Sequence, residues 1–179
     1  HTIVIEIDEN IKEKQYKILS ESNFSKESVL EKLKENGLFS HIKQRPFNVF
    51  ANPIKLPKAI FIKSFESAPF MPCQEMYIEK NFDFFQIGID LLNKICPKII
   101  SVFKEKTKSK AALQLKNSEV VLAGGPHPIS SPSIHVDAIC PIKKIEDVIW
   151  TLDALDVIII GKMLTTGTYL TERIVSVSG

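Results

Sequence analysis

The sequence predicts an α/β fold, a Rossmann-like three-layer domain with a mainly parallel sheet, preceded by a short β-hairpin from an adjacent domain. Three observations carry the prediction. Strand-length runs rich in β-formers alternate along the chain with longer segments of helical periodicity, which is the pattern of βαβ units. Those runs are apolar enough to be buried, so the sheet needs cover on both faces. And 179 residues at 20.2 kDa, 44% of them hydrophobic, suffice for one sizeable domain with a real core.

Taken in order, residues 2–7 (TIVIEI) alternate apolar and polar as an edge or hairpin strand does, and 12–19 (KEKQYKIL) can pair with them. Ser25 is the expected N-cap of a helix over 26–36, with Val29, Leu30 and Leu33 on one face and Gly37 as its stop. A basic loop broken by Pro46, Pro53 and Pro57 leads to a buried strand at 58–65, then to a loop with a short helical turn. Asn81 opens a strong helix whose Phe84, Ile87, Gly88, Leu91, Leu92 and Ile95 fall at helical spacing before Pro97 closes it. Strands follow at 98–103 and 118–124, separated by a lysine-rich surface turn or short helix over 104–116. A loop of prolines and serines then runs to a strand at 146–150. Thr151 is the expected cap of a helix through about Leu164, with Asp153 and Asp156 at its positive end and Gly167 as its stop; "ERIVSV" returns as a strand.

Charge and cysteine content exclude several classes. A net charge of +2 with pI near 8.4 is too mild for a nucleic-acid face, and the lysines are interleaved with glutamates as on a solvated surface. Cys73, Cys96 and Cys140 are scattered, whereas iron–sulfur and structural zinc sites need clustered thiolates, so buried reduced thiols in a cytoplasmic protein are expected. No run approaches the ~20 apolar residues that cross a bilayer. The start lacks a basic leader, and both ends read as strands cut from a longer chain.

Two places could carry chemistry. Between Gly37 and Pro57 there is no further glycine, and Phe39, Ile42 and Phe47 stand where a flavin or dinucleotide site needs backbone amides to approach phosphate unhindered. Arg45 could still grip an anion through its guanidinium fork, but pairing with a local carboxylate or capping carbonyls is the simpler expectation. The second place is "AGGPHP", a strand end running into a loop. There Gly124 and Gly125 permit close backbone approach, and His127 between prolines could donate to a ligand carbonyl such as a quinone's. A tight turn and a histidine bonded to backbone explain the same residues. His135 could join His127, yet metal ligation would want a third ligand that the spacing does not supply, and no metal site is expected. No G-x-S-x-G or P-loop occurs, and nothing assembles an acid, a base and a nucleophile, so no catalytic residue is assigned.

The segments "GLFSHIKQRPF", "GPHP" and "IIIGKMLTTGTYLTERIVSVSG", with the hydrophobic framework between them, resemble the NqrA family, one of the subunits of the sodium-translocating NADH:quinone reductases, from about residue 19 to the end. The tail is the most specific part. The resemblance implies that 1–19 are trailing strands of an N-terminal barrel-sandwich domain, and that 20–179 form a Rossmann-like central domain resembling a degenerate FMN-binding domain. The family is distantly similar to RnfC and to the flavin-binding subunit of complex I, whose glycine-rich loop after the corresponding helix holds FMN phosphate. Here those glycines are replaced.

What the resemblance implies is a non-redox peripheral subunit fragment, inactive alone, within a respiratory complex that oxidises NADH, reduces ubiquinone and exports Na⁺ from the cytoplasmic face of the bacterial inner membrane. No cofactor is then expected on this chain: NADH, flavins, iron–sulfur centres and ubiquinone act on or with other subunits. The implied partners are those subunits, with ubiquinone a further candidate that would touch Arg45, Gly124, Gly125 or His127. Two other readings stand beside it: a flavin- or nicotinamide-binding oxidoreductase domain with its ligand at the strand ends near Gly124 and Gly125, and an assembly module that touches only partner subunits.

Overall fold

The computed structural model describes residue 6, residues 16–19 and residues 24–177. The hairpin expected over 2–7 and 12–19 lies otherwise outside the described residues; 16–19 form an irregular segment whose Leu19 amide donates to Leu164 O at 2.7 Å.

Six strands form one sheet: β1 (Lys43–Arg45), β2 (Val49–Phe50), β3 (Ala59–Lys63), β4 (Ile99–Lys104), β5 (Glu119–Ala123) and β6 (Ile149–Asp153), in the order β2-β1-β6-β3-β4-β5. The four longer strands are mutually parallel, while β1 runs antiparallel to β6 and β2 antiparallel to β1. The chain leaves β3 toward β4 and β5, then returns to the other side of β3 as β6. The carboxyl ends of β3 and β6 therefore flank a topological switch point, the place where open α/β sheets bind ligands.

Side chains alternate across the sheet as a pleated strand requires. Ile60, Ile62, Trp150 and Leu152 pack into the larger core with α1 (Lys26–Glu35), α2 (Gln74–Lys80), α3 (Phe82–Ile95) and α6 (Ala154–Thr166). Ala59, Phe61, Ile100, Val102 and Ile149 form a smaller core on the other face, beneath Val136 of α5 (Pro132–Ile139). The short α4 (Ala111–Gln114) places Ala111 against the larger core. Helices thus cover both faces, unequally.

The first helix starts as its sequence predicts: Ser25 Oγ accepts from the Ser28 amide at 3.1 Å, and Ser28 Oγ accepts from the Ser25 amide at 3.0 Å. Gly37 follows at φ 72°, the left-handed conformation that a glycine reaches without strain. In α3 the buried face is Phe85, Gly88, Ile89, Leu91, Leu92 and Ile95, while Phe84 and Ile87 are only half-buried. Helix α6 packs against α3 at two glycines. A Cβ on Gly161 would collide with the carbonyl oxygen of Phe84, and one on Gly88 with that of Val157.

Four expectations are corrected. The strand predicted at 146–150 runs from 149 to 153, because Asp147 belongs to a turn in which its carboxylate accepts from the amides of Lys143 and Lys144. In consequence Asp153 caps α6, through a reciprocal capping box with Asp156, while Thr151 is buried in the sheet. The segment 172–177 forms no strand; it lies against α2, where the Tyr77 hydroxyl donates to Ile174 O at 3.1 Å and accepts from the Ile174 amide. Finally, both "loops" contain elements. Pro132, tolerated in a first helical turn, opens α5, and the stretch after Gly37 makes a 3₁₀ turn (Leu38–His41) followed by β1 and β2.

Candidate functional site

The loop after α1, where the sequence places bulky residues instead of glycines, is spent on structure. Leu38 and Ile42 are fully buried, and the Phe39 ring stands edge-on to Trp150 with centroids 5.8 Å apart. Its backbone amides are also engaged: Ser40 N donates to Gly37 O at 3.3 Å and Ile42 N to Phe39 O at 3.2 Å, and β1 is laddered to β6 at Lys43, Gln44 and Arg45. These N–H groups are bonded within the fold and are not free to aim at a phosphate.

Beside this loop, at the ends of β3 and β6, lies a crevice of about 390 Å³. Lys63, the last residue of β3, sits on its floor. Its ammonium bonds Glu66 at 3.0 Å and Asp153 at 3.2 Å. Burial works against the Lys63 charge, but the two carboxylates outweigh it and raise its pKa. Burial likewise favours a neutral Glu66. Hydrogen bonds from Ser130, Lys63 and the amides of Ala68 and Ser67 prevail, and its pKa falls to about 2. Burial dominates at Asp153 and pushes its pKa up, against the attraction of Lys63.

Across the crevice, His41 Nδ1 lies 2.8 Å from Asp156 Oδ1. A carboxylate only accepts, so the proton is on Nδ1, and in the neutral ring Nε2 accepts from the Tyr169 hydroxyl at 3.3 Å. Asp156 Oδ2 takes the Asp153 amide as well. In the described cluster Lys63 thus bridges two carboxylates, while Asp156 is held by His41 and a backbone amide.

The four candidate residues separate. Arg45 lines the crevice, but no carboxylate pairs with it among the described residues, which corrects the expectation of a local partner. It donates instead to the Ser133 hydroxyl at 2.9 Å. His127 lies at the far end of the Glu66 network. Its Nδ1 is 3.1 Å from Ser67 Oγ, which is 2.8 Å from Ser130 Oγ, and Ser130 donates to Glu66 at 2.7 Å. The partner of His127 is thus a serine, where the sequence suggested backbone. Gly124 and Gly125 stay at the edge strand, where Glu105 packs over Gly124 and Gly125 adopts φ 145°. His135 is a core histidine whose Nε2 donates to Ile129 O at 2.6 Å, and burial lowers its pKa. Among the described residues no group of three or more His, Cys, Asp or Glu is arranged to hold a metal, and no helix is long and apolar enough to cross a membrane.

Sequence reading passed over Lys63, Glu66, Ser67, Ser130 and the His41–Asp156 pair as a site. One signal was available: in "AIFIKSFES" a buried parallel strand ends on a lysine and a glutamate, at the edge where such sheets carry their chemistry.

Residues 24–169 match the family described as the NqrA second alpha/beta domain. The chain belongs to the NqrA family. Among curated relatives of the NqrA domain, the A subunit of the Na(+)-translocating NADH-quinone reductase of Chlamydia caviae is 31% identical over 96% of this chain and 37% of its own length. The protein of the same name from Chlamydia pneumoniae is 32% identical over 87% of this chain and 35% of its own. That of Pseudomonas aeruginosa is 28% identical over 99% of this chain and 40% of its own. This NqrA domain thus spans well under half the length of these relatives.

Proposed function

We propose that this chain serves as a non-redox domain of the NqrA subunit in a sodium-translocating NADH:quinone reductase, contributing to assembly of that complex and to its handling of quinone. The relatives carry that name over nearly the whole of this chain. One observation carries the rest. The loop after α1, which in a nucleotide-binding domain would present free amides, bonds those of Ser40 and Ile42 within itself and fills its volume with Leu38, Phe39 and Ile42. Flavins, iron–sulfur centres and the NADH site then belong to other subunits, and the domain works by holding position at the cytoplasmic face of the bacterial inner membrane. A quinone would find its hydrogen-bond donor in His127, which is tethered to Ser67 on one side of its ring.

The test uses full-length NqrA and the assembled complex. Purified NqrA is expected to be colourless, to keep no FMN through gel filtration, and to co-purify with the remaining subunits. A quinone photoaffinity probe is expected to label this domain, with labelling reduced in His127→Ala. A stoichiometric yellow flavin on isolated NqrA overturns the non-redox reading, and undiminished labelling removes His127 from the quinone role.

A further inference from the structure

Lys43 and Arg45 stand two apart on β1, so they share one face of the strand, and both line the crevice at the ends of β3 and β6. The other charged side chains there are bonded within the protein. Lys63 lies between Asp153 and Glu66, and Asp156 accepts hydrogen bonds from His41 Nδ1–H and from the Asp153 amide. Lys43 rests against a neutral ring, its Nζ 3.7 Å from the Phe50 centroid. The guanidinium of Arg45 donates to a neutral hydroxyl, and its Nε is buried without a partner. Asp137 shares a smaller cavity of about 200 Å³ with Arg45 but forms no ion pair with it. Neither Lys43 nor Arg45 thus forms an ion pair among the described residues, although Asp153 and Asp156 line the same crevice, and a partly desolvated guanidinium is costly to leave without a partner.

We propose that this crevice is a binding site for a small dianionic oxyanion, a phosphomonoester or a dicarboxylate, clamped between Lys43 and Arg45. The match is one of charge and shape. Guanidinium offers a planar fork to paired oxygens and ammonium offers a compact point charge, which together neutralise a dianion. The cavity of about 390 Å³ lies in the range of small-molecule sites and sits at the switch point of the sheet. Ser40 and Asn48 also line it and can bond the ligand's uncharged part. Recognition here runs through side chains, so it needs none of the glycines whose loss closed the backbone cradle. It does not depend on the place of the chain in a reductase.

Isothermal titration of the full-length protein with inorganic phosphate, phenyl phosphate and succinate, at constant ionic strength and near neutral pH, tests the proposal. Saturable binding at one site is expected for at least one of the three. Loss of at least about tenfold in affinity is expected in both Arg45→Ala and Lys43→Ala, with none in His127→Ala. Preference for the phosphates identifies a phosphomonoester, and preference for succinate a dicarboxylate. Arg45→Met, which removes the unpaired charge, is expected to be no less stable than the parent without ligand, so lost binding cannot be ascribed to misfolding. Absence of saturation by all three, or binding undiminished in both alanine variants, overturns the site. Flavin retention bears on the proposed non-redox role and is read separately by colour.

Discussion

Gly161 of α6 meets the carbonyl oxygen of Phe84 on α3 so closely that no methyl group fits between them. The contact sets how near the two helices lie, and Gly88 repeats it against Val157. Alanine in an ordinary helix interior would stabilise by roughly 1 kcal/mol relative to glycine. Here the obstacle is backbone, which cannot swing aside, and overpacking of a dense core costs about 1–3 kcal/mol or more. Gly161→Ala and Gly88→Ala are each expected to lower stability in urea denaturation despite the better helix propensity.

The Lys63 ammonium holds two carboxylates, Glu66 and Asp153, at the head of β3. Replacing it with methionine leaves both without their cation, Glu66 largely buried and Asp153 about half in contact with water. Because Asp153 is screened by water and Glu66 keeps its bonds from Ser130 and two amides, Lys63→Met is expected to cost about 1–3 kcal/mol at neutral pH. The loss should shrink at pH 4, since protonating the carboxylates removes the unpaired charges. Denaturant midpoints at the two pH values measure the difference.

Acid unfolding should show two regions with different owners. The folded-state pKa of His135 lies below the ordinary 6.5, so the unfolded chain takes up its proton first and stability falls as pH drops below 6.5. Glu66 is depressed from 4.5 to about 2, so its contribution is complete above 4.5 and is lost as pH falls toward 2. Asp153, raised by burial, slopes the other way and softens the lower region. Glu66→Gln is expected to flatten the stability curve below pH 4.5 and leave its shape near pH 6 unchanged.

Gly37 and Gly167 end their helices at nearly the same left-handed φ, 72° and 70°. A Cβ at Gly37 would meet open space, whereas one at Gly167 would lie 2.9 Å from Tyr16 O. Gly37→Ala should therefore cost only the backbone strain, about 1 kcal/mol. Gly167→Ala should cost more and should loosen residues 16–19. Thermal melts of the pair isolate the crowding.

The Tyr77 hydroxyl clasps Ile174 by both its carbonyl and its amide. Tyr77→Phe removes both bonds and leaves the ring in place, for a loss of about 1 kcal/mol. Faster amide exchange confined to the segment around Ile174 is the expected readout.

The elements legible in the sequence were those specified locally. Ser25 and Gly37 bracket α1 by their own chemistry, and β3 and β4 announce themselves as apolar runs of strand length. What was missed depends on partners far along the chain. Lys43–Arg45 has no strand-like composition, and it becomes β1 because the edge of β6 offers it a ladder. The tail "ERIVSV" has the alternation of a strand and finds no such edge. The site divided in the same way. Arg45 stood out as a lone arginine in a basic loop, but its lack of a carboxylate is a three-dimensional fact. The network linking Lys63 to His127 joins residues 64 positions apart and leaves no spacing to read.

The three residues of β1 make the wall of the crevice switchable by a single insertion. Their pairing with β6 turns Lys43 and Arg45 one way and Gln44 the other, where its Oε1 accepts from the Asn52 amide at 3.2 Å. Sliding that short ribbon by one position would trade both positive groups for a neutral carboxamide without altering any residue's identity. A homologue one residue longer between Gly37 and Lys43 would thereby keep every basic side chain in its sequence and still present an uncharged wall.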